Sequence, residues 1–264
     1  FCGREEELKR LYEFINSDAP FSWWSITGQA ASGKSRLAYE LISRLPSSWF
    51  GFLVSERVHQ SDVETYKPFC NTVAVFDYVA GRERQIAETI LGLRHVFAAS
   101  AYKFRVLLIE RTNSRSVNSW YSRLLQYCGR SESALLKSDE YADSFLYLDD
   151  LDHNAVIHFI SAVCRKNGLD DNPERDAELC DIYALSFERL KFRPLYVQLF
   201  IEEWIHNGCN TAKYDKYTEL IEDLLKKEQE KWLVSVGGDL SVCNACIRLL
   251  VRANIAPLQI DGIP

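Results

Sequence analysis

The sequence predicts an α/β protein in which a parallel sheet carries helices on both faces and is followed by a helical subdomain. In residues 1–150, short runs of apolar β-formers alternate with stretches whose apolar residues recur at helical spacing. This alternation is typical of strands joined by crossover helices, which build a parallel sheet. In residues 151–236 the helical spacing continues without a convincing strand, so we expect a separate helical unit there.

The predicted elements follow from these periodicities. The expected strands are 23–27, 49–54, 71–78, 104–111 and 144–148. The expected helices of the second unit are 155–166, 173–185, 194–206 and 214–232. A polar stretch between the second and third strands is expected to be an irregular connection. The Gly-Gly-Asp break at 237–239 predicts the start of a further, winged-helix-like domain that is truncated at residue 264.

Composition narrows the class of protein. At 264 residues the chain exceeds a typical single domain, and a net charge of −6 argues against broad nucleic-acid binding. No apolar run approaches the roughly 20 residues of a membrane helix, and no signal-peptide pattern is present. The chain contains no methionine, so we expect a piece of a longer protein with arbitrary ends.

The cysteines and histidines indicate no metal site. Eight cysteines are scattered along the chain with mostly apolar flanks, which predicts buried free thiols in a reducing, cytoplasmic compartment. Only Cys243 and Cys246 have the spacing of a metal or redox pair, and a zinc site needs a second such pair. We therefore interpret them as core residues of a helix. The five histidines share no metal-ligand spacing.

Residues 28–35 match G-x-x-x-x-G-K-[ST], the phosphate-binding P-loop, between a predicted strand and a predicted helix. Gly28 and Gly33 allow the tight curl that turns consecutive N–H groups toward phosphates. Lys34 supplies a point charge for the β- and γ-phosphates, and the Ser35 hydroxyl is placed to bind Mg²⁺. A chance turn is the alternative, but both flanks provide the required context. The expected contacts are Gly28, Ala31, Ser32, Gly33, Lys34, Ser35 and Arg36.

Two acidic residues end neighbouring predicted strands and compete for one role. Asp77 and Glu110 both belong at the carboxyl edge of the sheet, where ligands bind in open α/β folds. We favour Asp77 as the Mg²⁺ partner opposite Ser35, because an aspartate is usual there. Glu110 would reach a water in line with the γ-phosphate, and Arg111 would neutralise charge on the transferred group. The alternative is that Glu110 and Arg111 only pair with each other or with neighbouring strand ends.

With these motifs, the chain resembles the STAND class of P-loop NTPases, which are relatives of AAA+ proteins. Residues 1–8 (FCGREEEL) look like the N-terminal motif of that class, and residues 33–38 are similar to its usual P-loop ending. The Asp77 strand followed by the Arg111 strand looks like Walker B followed by sensor 1. Residues 192–195 (FRPL) are similar to the G-x-P motif, although a phenylalanine replaces the glycine.

The resemblance implies a site and a way of working. Gly3 and Arg4 would lie beside the adenine, and Pro194 would pack on it, so the implied ligands are ATP or ADP with Mg²⁺. The implied function is a nucleotide-controlled switch that self-associates on activation, often in bacterial antiviral defence. The sensor and effector domains of such a protein are not evident in this segment. Tyr78 stands where many ATPases place a second acid, which implies slow hydrolysis.

Three other interpretations are open. The chain could retain nucleotide without turnover, which Tyr78 favours. It could be an AAA+ relative of the origin-recognition type with a DNA-binding winged helix, although only Arg248 and Arg252 provide basic charge after residue 238. It could be a small-molecule kinase, but the lid arginines and substrate pocket of that class are not evident.

Overall fold

The computed structural model describes most of the first 209 residues. The described residues are 2–112, 116, 118–129, 141, 145–188, 191–206, 208–209 and 239–241. The expected helix at 214–232, the Cys243 and Cys246 pair, and the winged-helix-like segment 237–264 apart from 239–241 lie outside them.

The described residues form a five-stranded sheet in which every pairing is parallel. Its order is β2-β3-β4-β1-β5, so the strand that leads into the P-loop lies between β4 and β5. The predicted fold class is confirmed. The strands are β1 (Phe21–Gly28), β2 (Trp49–Leu53), β3 (Asn71–Asp77), β4 (Phe104–Glu110) and β5 (Phe145–Leu148).

The helices connect the strands and then continue beyond the sheet. They are α1 (Glu5–Asn16), α2 (Lys34–Ser43), α3 (Gln60–Thr65), α4 (Glu83–Ala98), α5 (Trp120–Tyr127), α6 (His153–Lys166), α7 (Pro173–Ser186) and α8 (Pro194–His206). The expectation of an irregular connection before β3 was wrong in part, because α3 lies there. Val63 is its buried residue, so no apolar stripe marks this short helix in the sequence.

Successive residues of the central strands pack on opposite faces of the sheet, as the pleat requires. Phe76 and Leu108 lie in a core with α4 and α5 on one face. Val75 and Leu107 lie in a second core with α1 and α2 on the other. Both faces are therefore covered by helices, which explains why these strands read as continuous apolar runs.

The helices α6 to α8 share a third core of their own, which includes Val156, Tyr183 and Phe200. Asp152 caps α6 by accepting a hydrogen bond from the N–H of Ala155, and Asn172 caps α7 in the same way. We call α6, α7 and α8 the helical segment. In the part of the chain that the structure describes, no helix has both the length and the apolar character needed to cross a membrane.

Arg105 is a fully buried cation that anchors the end of α1 to the sheet. Its guanidinium donates to the carbonyl oxygen of Phe14 at 3.2 Å, and to the carbonyl and hydroxyl oxygens of Ser17 at 2.6 and 3.2 Å. The same group lies 6.0 Å from the Phe14 ring centroid and 5.8 Å from that of Trp49. The last carbonyls of a helix need donors from outside it, and Arg105 supplies them.

We predict that Arg105→Met lowers the free energy of unfolding by at least about 1.5–3 kcal/mol, the value of one hydrogen bond to a charged group. The reason is that methionine fills the space but donates nothing to Phe14 or Ser17. Urea denaturation measures the change. Arg84→Met is the matched control: Arg84 is exposed and pairs with Glu88 on the surface of α4, so the change there should stay within about 0.5 kcal/mol. Equal stability losses in the two variants would contradict this role for Arg105.

Candidate functional site

The P-loop connects the end of β1 to the start of α2. Ala31 and Gly33 have φ values of 68° and 91°, so the chain turns through the left-handed region twice within three residues. A Cβ on Gly28 would lie 2.7 Å from the carbonyl oxygen of Leu148, which leaves space only for glycine beside β5. The loop therefore curls tightly just before the N-terminus of α2, an arrangement that favours anions.

The side chain of Lys34 folds back over the first residues of the P-loop. Its Nζ donates to the carbonyl oxygens of Gly28 and Gln29, each at 2.8 Å. Burial, and next the charge of Arg111, lower the pKa of the Lys34 ammonium from its ordinary value. A polyphosphate placed here would relieve the repulsion between the two cations, so this electrostatic environment is suited to an anion.

Ser35 and Asp77 meet at the head of α2. The Ser35 Oγ donates to Oδ2 of Asp77 at 2.6 Å, and Oδ1 of the same carboxylate accepts from the N–H of Tyr78 at 3.0 Å. Hydroxyl and carboxylate oxygens are the ligands that Mg²⁺ prefers, so this pair fits a hard divalent cation. The residues named from the sequence as the metal pair are thus in contact, although they are 42 positions apart.

Glu110 lies at the end of β4, opposite Thr27 of β1, and only 8% of its surface is exposed. Its Oε2 accepts from the N–H of Ala80 at 2.7 Å, and its Oε1 accepts from the N–H of Arg111 at 2.6 Å. Both oxygens therefore hold backbone, one after β3 and one after β4. This geometry supports the alternative of contacts with neighbouring strand ends, and a role of Glu110 in water activation stays a prediction.

Tyr78 directly follows Asp77 and also lines the site. Its φ of 55° lies in the left-handed region, where residues other than glycine are uncommon. Its side chain is 58% exposed. Tyr78 carries a phenol in place of a carboxylate, so the position after Asp77 has no acidic side chain to activate water.

Arg4 connects the N-terminal residues to the P-loop. Its Nη2 donates to the carbonyl oxygen of Ser32 at 3.3 Å and also to that of Asp149, and its Nη1 pairs with Glu7 at 2.8 Å. The side chain is almost fully buried. One guanidinium therefore ties the start of α1, the P-loop and the end of β5 together.

The first turn of α8 lies against the P-loop. The N–H of Leu195 donates to the carbonyl oxygen of Ala31 at 3.4 Å. The Pro194 ring lies 3.9 Å from where a Cβ on Gly33 would stand. Pro194 begins α8, where its missing N–H costs nothing. The helical segment thus packs on the phosphate-binding loop through the first turn of α8.

These residues surround one cavity of about 690 Å³. It brings together most of the side chains that the sequence singled out. Gly3 and Gly28 do not line it; a Cβ on Gly3 would lie 3.1 Å from Leu151, so Gly3 supports the site from behind. The predicted residues that do line it are Arg4, Ala31, Ser32, Gly33, Lys34, Ser35, Arg36, Asp77, Glu110, Arg111 and Pro194.

The cavity also contains residues that the sequence analysis missed. On α6 and α8 they are Phe159, Ala162, Val163, Lys166, Leu195, Gln198 and Glu202, and Cys2 joins them from the N-terminus. Gln198 and Glu202 follow Pro194 by four and eight positions on a helix that was predicted. That spacing places all three on one face, a signal that was present in the sequence.

Comparisons with solved structures find the same architecture. A Walker-type ATPase of Pyrococcus abyssi superposes with a TM-score of 0.51 at 14% identity, covering 90% of this chain and 75% of that one. Domain III of the replication initiation protein DnaA from Thermotoga maritima gives 0.52 at 12% identity, covering 85% and 92%. Neither a protein-family model nor a curated protein matches the sequence. Together with the parallel sheet and the loop after β1, these likenesses show that the chain has the α/β fold of P-loop NTPases.

We predict that Glu110→Gln lowers the melting temperature by several degrees, because an amide NH₂ then faces a backbone N–H of Ala80 or Arg111. An unsatisfied buried group costs about 1–3 kcal/mol. Differential scanning calorimetry measures the shift, with Glu88→Gln on the exposed side of α4 as the control. An unchanged melting temperature together with reduced ATP turnover would instead identify Glu110 as a catalytic residue.

Proposed function

We propose that this chain is a nucleotide-binding regulatory module that takes ATP or ADP with Mg²⁺ in the cavity above the P-loop. The observation that carries the proposal is the 2.6 Å contact between the Ser35 hydroxyl and the Asp77 carboxylate. This contact brings two oxygen ligands of the type that Mg²⁺ prefers to the N-terminus of the helix that follows the loop. A turn that matched the P-loop pattern only by chance would not be expected to contact a carboxylate from another strand.

Each part of the site has a proposed task. The backbone amides of residues 28–34 and the Lys34 ammonium would hold the β- and γ-phosphates, and Arg4 would keep the loop in place through its bond to Ser32. Ser35 and Asp77 would hold the metal, which neutralises charge on the phosphates when bound. Arg111 lines the cavity and would contribute positive charge at the same end.

The proposed turnover is slow. Hydrolysis requires a general base, such as a carboxylate, that activates a water. Positions 78 and 110 are the two candidates for this base. Tyr78 has no carboxylate, and both oxygens of Glu110 accept hydrogen bonds from backbone amides. The same observations favour a second candidate function, a module that retains nucleotide without hydrolysing it.

The proposed regulation runs through the helical segment. Its helix α8 touches the P-loop through Leu195 and Pro194, so a change in the loop on nucleotide exchange is transmitted to α8 directly. From the resemblance to STAND NTPases, we propose a cytoplasmic switch that self-associates in the ATP state, linked to sensor and effector domains in bacterial antiviral signalling. A DNA-binding role is the alternative, and the net charge of −6 weighs against it.

We predict that Lys34→Ala weakens ATP and ADP binding by about 10- to 100-fold, since one hydrogen bond to a charged group contributes about 1.5–3 kcal/mol. Isothermal titration calorimetry on the whole chain measures the affinity. Lys9→Ala is the matched control because Lys9 is an exposed lysine on α1, and it should bind like the parent. Parental affinity in Lys34→Ala would show that the nucleotide site lies elsewhere.

We also predict that Asp77→Asn reduces the dependence of ATP affinity on Mg²⁺, because an amide is a weaker metal partner than a carboxylate. Loss of a supporting metal contact typically costs about 10- to 100-fold in metal affinity. ATP titrations with Mg²⁺ and with excess chelator give this dependence. Asp170→Asn, an exposed change after α6, serves as the control. If Glu110→Gln lost the Mg²⁺ dependence and Asp77→Asn kept it, the two acidic residues would have to exchange roles.

A further inference from the structure

One face of α8 carries two polar side chains into the cavity. Pro194, Gln198 and Glu202 all line it, and their spacing of four residues keeps them on a single face of the helix. Each step of four residues advances by about 6 Å along the axis. Because Pro194 lies on the P-loop, Gln198 and Glu202 lie progressively farther from the phosphate-binding end.

Helix α6 forms another wall of the cavity, with the apolar side chains of Phe159, Ala162 and Val163 and with Lys166. The cations expected to take the phosphates, Lys34 and Arg111, lie at the P-loop end of the same cavity. Glu202 would repel a polyphosphate whereas Lys34 and Arg111 would attract one, so a nucleotide with its phosphates at the P-loop would turn its base or sugar toward Gln198 and Glu202. An apolar slot with a few polar groups is typical of sites for flat organic rings.

The Gln198 amide is held in one orientation. Its Nε2 donates to Oε1 of Glu202 at 2.7 Å. A carboxylate only accepts hydrogen bonds, so the amide nitrogen, and not the amide oxygen, must face Glu202. The amide nitrogen carries a second hydrogen and the amide oxygen has two lone pairs. Gln198 can therefore present an acceptor and a donor, side by side and in a fixed order, to a ligand in the slot.

Among the purine bases, this fixed pair matches adenine. Adenine presents an amino donor next to a ring-nitrogen acceptor on either of its outer edges, and glutamine pairs with such an edge through two hydrogen bonds. Guanine and hypoxanthine carry an oxygen acceptor where adenine has its amino group, so their oxygen would face the amide oxygen of Gln198. We infer that Gln198 is the residue that selects adenine over guanine and hypoxanthine, and that Glu202 is a positioning residue that prevents the amide from rotating by 180°. The inference rests on the proposed function and assigns the recognition of its base to two named residues.

The test compares ADP with inosine diphosphate, which has hypoxanthine in place of adenine and the same sugar and phosphates. Calorimetric titration of the whole chain with Mg²⁺ present should show ADP binding at least about tenfold more tightly. In Gln198→Leu, ADP affinity should fall until the two ligands bind about equally. Gln126→Leu, the same change at an exposed position of α5, should leave both affinities as in the parent.

Glu202→Ala gives a result that a purely structural role would not produce. Once the Gln198 amide is able to rotate by 180°, inosine diphosphate should gain affinity and ADP should lose some. Both changes lower the ratio of ADP affinity to inosine diphosphate affinity. A variant that merely loosens α8 would weaken both ligands together. Parental discrimination in both Gln198→Leu and Glu202→Ala would overturn the inference. Binding of both ligands through Lys34 without discrimination in the parent would overturn it too, but would leave the proposed function standing. Absence of any diphosphate binding would overturn both.

Discussion

The parallel pairing of β1 with β4 on one side and β5 on the other is the constraint on which the site depends. Parallel strands end at the same edge of a sheet, so Gly28, Asp77, Glu110 and Leu148 must come together there. The chain leaves β1 between two neighbours and has to turn within a few residues, which requires the left-handed conformations of the loop. The positions of the phosphate-binding loop, of Ser35 with Asp77, and of the backbone that Glu110 binds after β4 therefore all follow from one register of the strands.

Two buried arginines secure the helix that runs beside this edge. Arg4 precedes α1 and donates to backbone carbonyls of the P-loop and of Asp149, while Arg105 donates to backbone carbonyls at the end of α1. A guanidinium can serve several acceptors at once because its donors point in different directions. Helix α1 is therefore fixed at both ends to the sheet domain by cations, in addition to its apolar stripe in the second core.

Much of the fold was predictable because its elements carry strong periodic signals. The runs that became β3 and β4 are apolar on both faces, and Leu8, Leu11 and Ile15 mark α1 at helical spacing. Helix α3 was missed since Val63 alone is buried in it. The contact between Ser35 and Asp77 followed from the motif, whereas the partners of Glu110 did not, because backbone amides have no signature in a sequence. The apolar wall from α6 was equally hidden, since periodicity does not tell which neighbour a helix face meets.

The hydrogen bond from Leu195 to Ala31 places the N-terminal end of α8 on the phosphate-binding loop. Helix α8 has 13 residues and is therefore about 20 Å long. If it pivots at this contact, a tilt of about 10° carries its far end through about 3 Å, by the geometry of a rod of that length. A change in the tilt of α8 at the P-loop would therefore displace His206 by about the spacing between packed side chains.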